Sequence, residues 1–172
     1  MTDLASVPAA RPYVTERGQG EHIWFTNTVM EIKASAATTD GHLSLIEARA
    51  PVGFGPALHV HHDEHEAFYV LEGELELICG GERTTAGPGA FAFLPRGIAH
   101  TFRVIGDRPV RMLSIGIPGG LERFFREAGR PAETTDLPPE LPVDVAALGP
   151  IATRHNLEFV GPPLAAMPPV TP

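Results

Sequence analysis

The sequence has only one cysteine, Cys79, among its 172 residues. A lone cysteine excludes an intrachain disulfide, and the apolar surroundings of Cys79 indicate a small core or strand residue. Long apolar runs are missing as well: no stretch is long enough to span a bilayer, and the first twenty residues lack the apolar core of a secretory signal. We therefore expect a cytoplasmic protein that does not contact a membrane.

Positive charge is scarce too. Lys and Arg total 13 against 21 Asp and Glu, which gives a formal net charge of −8 at pH 7. Because nucleic-acid binding depends on cationic side chains that neutralise phosphates, this balance argues against a nucleic-acid partner. The length suits one domain with a sizeable core, and 43% hydrophobic residues is an ordinary value for a globular protein.

Glycine and proline, in contrast, are abundant, with 18 residues of each. Together with turn signals such as Gly80-Gly81, they separate short stretches that are rich in apolar residues. These stretches predict strands at 22–25, 28–34, 43–50, 58–61, 67–71, 74–79, 82–85, 91–94, 101–105 and 110–117. Many short strands with closely spaced turns predict an all-β sandwich or barrel, and a jelly roll fits this pattern.

The chain changes in character after the last of these strands. Residues 119–129 predict a short amphipathic helix with Leu121, Phe124 and Phe125 on its apolar stripe. Residues 143–155 predict a second helix, interrupted near Gly149-Pro150. The helices either cap the barrel and narrow the entrance of a pocket, or pack outside the barrel or support a dimer.

This layout divides the chain into four parts. They are a mobile N-terminal segment 1–12, a barrel 13–118, a helical C-terminal extension 119–160 and a proline-rich tail 161–172.

The most specific feature of the sequence is a pair of residue strings with fixed spacing. The first is Gly53-x5-His59-x-His61-x4-Glu66-x6-Gly73, and the second is Gly89-x5-Pro95-x-Gly97-x2-His100. Side chains two apart on a strand share a face, so His59 and His61 point the same way. Glu66 begins the next strand and can face back towards them, and we expect the ring of His100 to approach the same point from the far wall.

Three imidazoles and one carboxylate suit Fe, Mn, Co, Ni, Cu or Zn. A structural zinc site of the cysteine type is excluded, because no thiolate is near in sequence. Four protein ligands on an octahedral ion leave two positions for water, O2 or a bidentate substrate, such as an enol beside a carbonyl.

The two strings resemble the two signature motifs of the cupin superfamily. The first motif matches in full, and the second matches through His100 but has Val104 where the motif usually ends in Asn. Segments 66–73 and 93–100 also resemble the small single-domain bacterial cupins of the quercetin 2,3-dioxygenase-like type. The resemblance implies a double-stranded β-helix barrel with a short C-terminal helical extension.

The resemblance also implies a site and an activity. The ligands of one divalent transition metal per chain would be His59, His61, Glu66 and His100. The activity would be that of a metal-dependent oxygenase, a dioxygenase that uses O2 on an aromatic or enol-bearing small molecule. Glu66 would also be the catalytic residue, as the general base that takes the substrate proton. Homodimers are frequent among such proteins, so we expect one here.

Several alternatives stay open at this point. A cupin barrel can also host a metal-dependent isomerase, cyclase or lyase, or a non-catalytic small-ligand binder. His62 and His65 flank the four candidates and either join the site or belong to a solvated turn, which we favour. Candidates for an apolar substrate pocket are Phe68, Phe91, Phe93, Phe102 and Met112, and strand alternation favours Phe68 on the face of Glu66 and Phe102 on the face of His100.

Overall fold

A computed structural model describes residues 11–140 and 144–167 of the chain. The described residues contain twelve β-strands and two α-helices. The strands are β1 Glu21–Phe25, β2 Thr28–Ala34, β3 Ser44–Ala50, β4 Ala57–His61, β5 His65–Glu72, β6 Glu74–Cys79, β7 Glu82–Ala86, β8 Phe91–Leu94, β9 His100–Ile105, β10 Val110–Ile117, β11 Arg130–Pro131 and β12 Leu157–Pro163. The helices are α1 Leu121–Ala128 and α2 Val145–Arg154, and a 3-10 turn follows at Leu164–Ala166.

The strands form two sheets in which every neighbouring pair is antiparallel. The seven-stranded sheet has the order β11-β1-β2-β3-β10-β5-β8, and the five-stranded sheet has the order β12-β4-β9-β6-β7. This is the all-β barrel that the strand pattern predicted and the double-stranded β-helix that the resemblance implied, and the fold class is confirmed. Neither helix in the described parts of the chain is long and apolar enough to cross a membrane.

The core lies between the sheets because apolar residues alternate along the strands. In β3 the side chains of Ile46, Ala48 and Ala50 are buried, and in β10 those of Val110 and Met112 are buried. Intervening residues of both strands are more exposed, as expected for strands with one face on a core. The inward positions of the two sheets therefore form one continuous apolar cluster.

Helix α1 is fixed to the barrel by a buried carboxylate. Glu122 is fully buried, and its side chain accepts hydrogen bonds from the Ala36 backbone N–H at 3.0 Å and from the Ser44 hydroxyl. The Ser44 hydroxyl in turn accepts a hydrogen bond from the Gly120 N–H at 2.8 Å, directly before the helix. A buried carboxylate is stable only when it is hydrogen-bonded, so this network determines where α1 lies on β3.

Two expectations about the C-terminal region differ from the structure. Helix α2 runs without interruption through Gly149 and Pro150, because its Asp144 cap and the packing of Leu148 and Ile151 against the core outweigh the hydrogen bond that proline removes. Strand β12 crosses the predicted boundary at residue 160 and brings part of the predicted tail into the five-stranded sheet. Most of the predicted mobile segment and the last residues of the tail lie outside the described residues.

Candidate metal centre

The four candidate ligands come from three strands. His59 and His61 lie on β4, and His100 lies on the neighbouring strand β9, directly opposite His59. The ring centroids of His59 and His100 are 4.5 Å apart. Glu66 lies on β5, in the other sheet.

This arrangement corrects the expectation that His100 approaches from the far wall. After β4 the chain alternates between the sheets: β5 lies in the seven-stranded sheet, β6 and β7 in the five-stranded sheet, β8 in the seven-stranded sheet and β9 again in the five-stranded sheet. His100 therefore lies on the same wall as His59 and His61, and Glu66 is the residue that reaches across.

The four side chains lie close enough together to hold a metal ion. One ligand atom from each residue lies within 4.8 Å of all the others. The Oε2 atom of Glu66 is 3.3 Å from His100 Nε2 and 3.7 Å from His61 Nε2. All four residues are buried, and the most exposed, His59, has 7% of its surface accessible.

Hydrogen bonds at the second ring nitrogen orient the three imidazoles. Nδ1 of His59 is 2.7 Å from the Ala57 carbonyl, and Nδ1 of His100 is 2.9 Å from the Ile98 carbonyl. A carbonyl oxygen can only accept a hydrogen bond, so both Nδ1 atoms carry a proton. In a neutral ring, the Nε2 atom then has a free lone pair. The lone pairs of the imidazoles and the carboxylate of Glu66 thus point to one place, where a cation can bind all of them.

The third histidine has a different partner, which sequence reasoning missed. Nδ1 of His61 is 2.8 Å from Oε1 of Glu64, a carboxylate that is itself buried. Burial lowers the pKa of His61, but the hydrogen bond to Glu64 and the charges of Glu66 and Glu64 outweigh it and raise that pKa overall. Glu64 lies in a polar turn, so the sequence contains no signal that its side chain points inward.

The charge states of Glu66 and His59 suit metal binding. Burial alone raises the pKa of Glu66, but the close approach of His100 and the nearby imidazoles of His61 and His59 outweigh burial and lower that pKa to about 2. Burial, together with the neighbouring His100 and His61, lowers the pKa of His59 to about 3. Near neutral pH the carboxylate is therefore ionised and the His59 ring neutral, which are the states that metal ligands require.

One oxygen of Glu66 is occupied by a further residue that the sequence did not reveal. The Ser114 hydroxyl on β10 donates to Oε1 of Glu66 at 2.7 Å. The other oxygen, Oε2, faces the imidazoles.

The cluster opens into an apolar cavity of about 720 Å³, its mouth to solvent included. Seven of the nine phenylalanines in the chain line this cavity: Phe25, Phe54, Phe68, Phe102, Phe124, Phe125 and Phe159. Met112 lines it as well. An aromatic, mostly apolar space beside polar ligands is the usual character of a small-molecule site.

The remaining two phenylalanines are not in this cavity. Phe91 and Phe93 are 62% and 52% exposed, so these two pocket candidates do not line the cavity. They lie on β8, an edge strand whose inward positions belong to Ala92 and Leu94. The predicted homodimer stays a prediction.

The other two nearby histidines stand apart from the four-residue group. His62 is half exposed and its Nε2 is 3.0 Å from Oε2 of Glu158, whereas the ring of His65 stacks on Phe93 with centroids 5.3 Å apart. Among the described residues, the group of close metal-ligating atoms contains neither of them.

The C-terminal region also contributes to the cavity. Phe124 and Phe125 of α1 and Leu157 and Phe159 of β12 line it, so α1 does cap the barrel interior. The alternating Leu157 and Phe159 are a period-two signal that could have indicated β12 from the sequence.

Comparisons with known proteins agree with this fold and site. A family model described as the cupin domain matches residues 46–116, a segment that contains all four candidate ligands and ends before α1. The chain is 31% identical over 134 residues to a quercetin 2,3-dioxygenase of Bacillus subtilis (strain 168). That alignment covers 77% of this chain but only 40% of the relative, so the chain spans less than half the length of the relative.

Solved structures share the architecture. KdgF from Halomonas sp. superposes with a TM-score of 0.59 at 15% identity, covering 66% of this chain and 99% of that one. A predicted oxalate decarboxylase from Thermotoga maritima superposes with a TM-score of 0.58 at 20% identity, covering 62% of this chain and 99% of that one. At such identities the likeness shows the fold alone.

Proposed function

Since this chain belongs to the cupin superfamily and resembles its quercetinase-like members, we propose that it is a metal-dependent oxygenase. Its reaction is that of a dioxygenase acting on an aromatic or enol-bearing small molecule. The observation that carries the proposal is the convergence of three imidazoles and one carboxylate beside a cavity lined by seven phenylalanines.

The resident cofactor in this proposal is one divalent transition metal ion per chain, of the set Fe, Mn, Co, Ni, Cu and Zn. His59, His61 and His100 would hold it through Nε2, and Glu66 through its carboxylate. Such an ion, when bound, supplies a Lewis acid that lowers the pKa of an enol hydroxyl. The chain itself orients the imidazoles through Ala57, Ile98 and Glu64, which fixes the nitrogen that each ring offers.

Glu66 has a second proposed role, as the base that takes the enol proton. Ser114 holds Oε1, while Oε2 faces the interior of the site, and Glu66 lines the cavity. Because Oε2 is also the oxygen that would face the metal, Glu66 would take the proton of a substrate hydroxyl by moving off that position. General acid–base catalysis requires this kind of direct reach between base and proton.

The lining of the cavity supports an aromatic substrate over a charged one. Within the described part of the chain, no arginine or lysine lines it, and its few polar residues are Thr28, Ser114 and three of the candidate ligands. A sugar acid or sugar phosphate needs cationic or bidentate partners. Planar, neutral ring systems need only apolar and aromatic walls.

The test is oxygen consumption by protein reconstituted with each of the six metals in turn. With a panel of flavonols and catechols, we expect oxygen uptake that depends on both metal and substrate and that stops when the metal is chelated. Turnover of a substrate under argon would point instead to a metal-dependent isomerase, cyclase or lyase. Tight binding without turnover under every metal would point to a non-catalytic binder.

A separate prediction concerns Glu64, the partner of His61. In Glu64→Leu we expect metal affinity to fall by roughly 10–100-fold, because the ring loses the group that orients it and raises its basicity. Glu64→Gln should lose less metal affinity, since its amide oxygen can still accept a hydrogen bond from Nδ1 of His61. Competition against a chromophoric chelator measures each affinity.

The control for Glu64 is its neighbour Asp63, which is exposed and bonds to the Asn156 side chain at 2.7 Å instead of to a ligand. Asp63→Asn should bind metal as the unmodified protein does. Equal affinities in Glu64→Leu and Asp63→Asn would refute the role of Glu64.

A further inference from the structure

One wall of the cavity comes from β12, a strand outside the segment that the cupin family model matches. Strand β12 pairs with β4 so that Leu157 lies opposite His61 and Phe159 lies opposite His59. Residues directly opposite in an antiparallel pair project to the same face, with Cβ atoms roughly 4.5–5.5 Å apart. Leu157 and Phe159 therefore stand beside the two histidines on the cavity side.

The two residues differ in what they can contact. Leu157 is 5% exposed and belongs to the core cluster, so its side chain is enclosed by protein. Phe159 is only partly buried, and the regular pairing with β4 shifts directly after it, between Phe159 and Gly161. Its ring borders the open space of the cavity, where a bound molecule would touch it.

A second ring completes the aromatic boundary from the C-terminal region. Phe125 of α1 is partly buried, lines the same cavity and packs edge-on against Phe25 with centroids 5.2 Å apart. Because Glu122 fixes α1 to the barrel, this ring has little freedom to retreat from a larger ligand. A rigid boundary discriminates between ligands by size.

We propose that Phe159 is the residue that determines the size and shape of the substrate admitted next to His59. This specificity role rests on the proposed function, and it narrows the substrate class to neutral, planar ring systems. The relevant contact comes from the C-terminal strand, so the cupin motifs themselves do not encode it.

The test is anaerobic binding, so that turnover is not needed. Dissociation constants of metal-reconstituted protein are measured by calorimetry under argon for 3-hydroxyflavone and for an analogue with a bulky 4′ substituent. The unmodified protein should prefer the smaller probe. Phe159→Ala should reduce that preference by roughly tenfold or more, since contact with one group in an apolar pocket changes binding by about this factor. Phe159→Trp should weaken the binding even of 3-hydroxyflavone.

The matched control is Val160→Ala, on the same strand but with its side chain 43% exposed on the outer face. Val160→Ala should keep the ratio of the two dissociation constants found for the unmodified protein. A ratio unchanged in both Phe159→Ala and Phe159→Trp overturns the inference, as does failure of the unmodified protein to bind either probe. Size-dependent binding without oxygen uptake would instead refute the oxygenase proposal, and the role of Phe159 in selecting ligands by size would still be supported.

Discussion

Replacing Glu66 by glutamine is expected to lower kcat on the best flavonol substrate by roughly 10²–10⁴-fold, the usual contribution of a positioned general base. The amide has the shape of the carboxylate but can neither take a proton nor supply negative charge. The bond that Ser114 donates to Oε1 can persist in the variant, so the barrel should stay folded. Steady-state oxygen uptake, with metal content measured on the same sample, gives the result.

The two roles of Glu66 can be separated by spectroscopy. Under argon, the absorption band of a flavonol reports whether its enol is deprotonated on binding. We expect deprotonation in the unmodified protein and none in Glu66→Gln samples with matched metal content. Glu72→Gln, at the exposed end of the same strand, should behave as the unmodified protein does. Full activity of Glu66→Gln would contradict the role of Glu66 as the base.

Much of the barrel could be predicted because each strand lies between clear turn signals. The bounds of β2, β6, β8 and β10 in the structure are those that the sequence predicted. Gly or Pro flanks β6, β8 and β10, because glycine adopts turn conformations and proline lacks the N–H that a ladder needs. The ends of these strands can therefore be read from neighbouring residues.

What the sequence did not reveal is which strands become neighbours. Alternation along a strand tells which side chains face the core. It does not tell to which of the two sheets the strand belongs, because inward residues have the same pattern in both. The position of His100 beside His59, with Glu66 reaching across from the other sheet, follows from the four crossings between sheets that the chain makes from β4 to β9. Such pairings are non-local, so no short window of sequence contains them.

Strand β12 was hidden for a different reason. Its last residues are Gly161, Pro162 and Pro163, and such a composition predicts an irregular tail and not a strand. The strand is tolerated because it lies at the edge of the five-stranded sheet and pairs with β4 through two irregularities in register. Proline is accepted at sheet edges, where one side of the strand needs no ladder hydrogen bonds.

Removing one imidazole provides the most direct test of the metal centre. A ligand that binds only the folded state stabilises it by about 2.7 kcal/mol when its free concentration is a hundred times its Kd. For a protein of this length, that corresponds to a rise in Tm of roughly 5–10 °C. We expect such a rise for the unmodified protein with at least one of the six candidate ions, and its reversal by a chelator.

In His100→Ala we expect the metal-dependent rise in Tm to disappear, because the ring that faces both His59 and Glu66 is gone. His100 is 1% exposed, so its loss also lowers the Tm of the metal-free protein by leaving a cavity. The comparison is therefore between each protein with and without metal, in which the cavity cost cancels. His42→Ala, whose ring is exposed and outside the group, should keep the full rise. An undiminished rise in His100→Ala would show that the ion binds elsewhere, and no rise in the unmodified protein with any of the ions would remove the metal centre from the proposal.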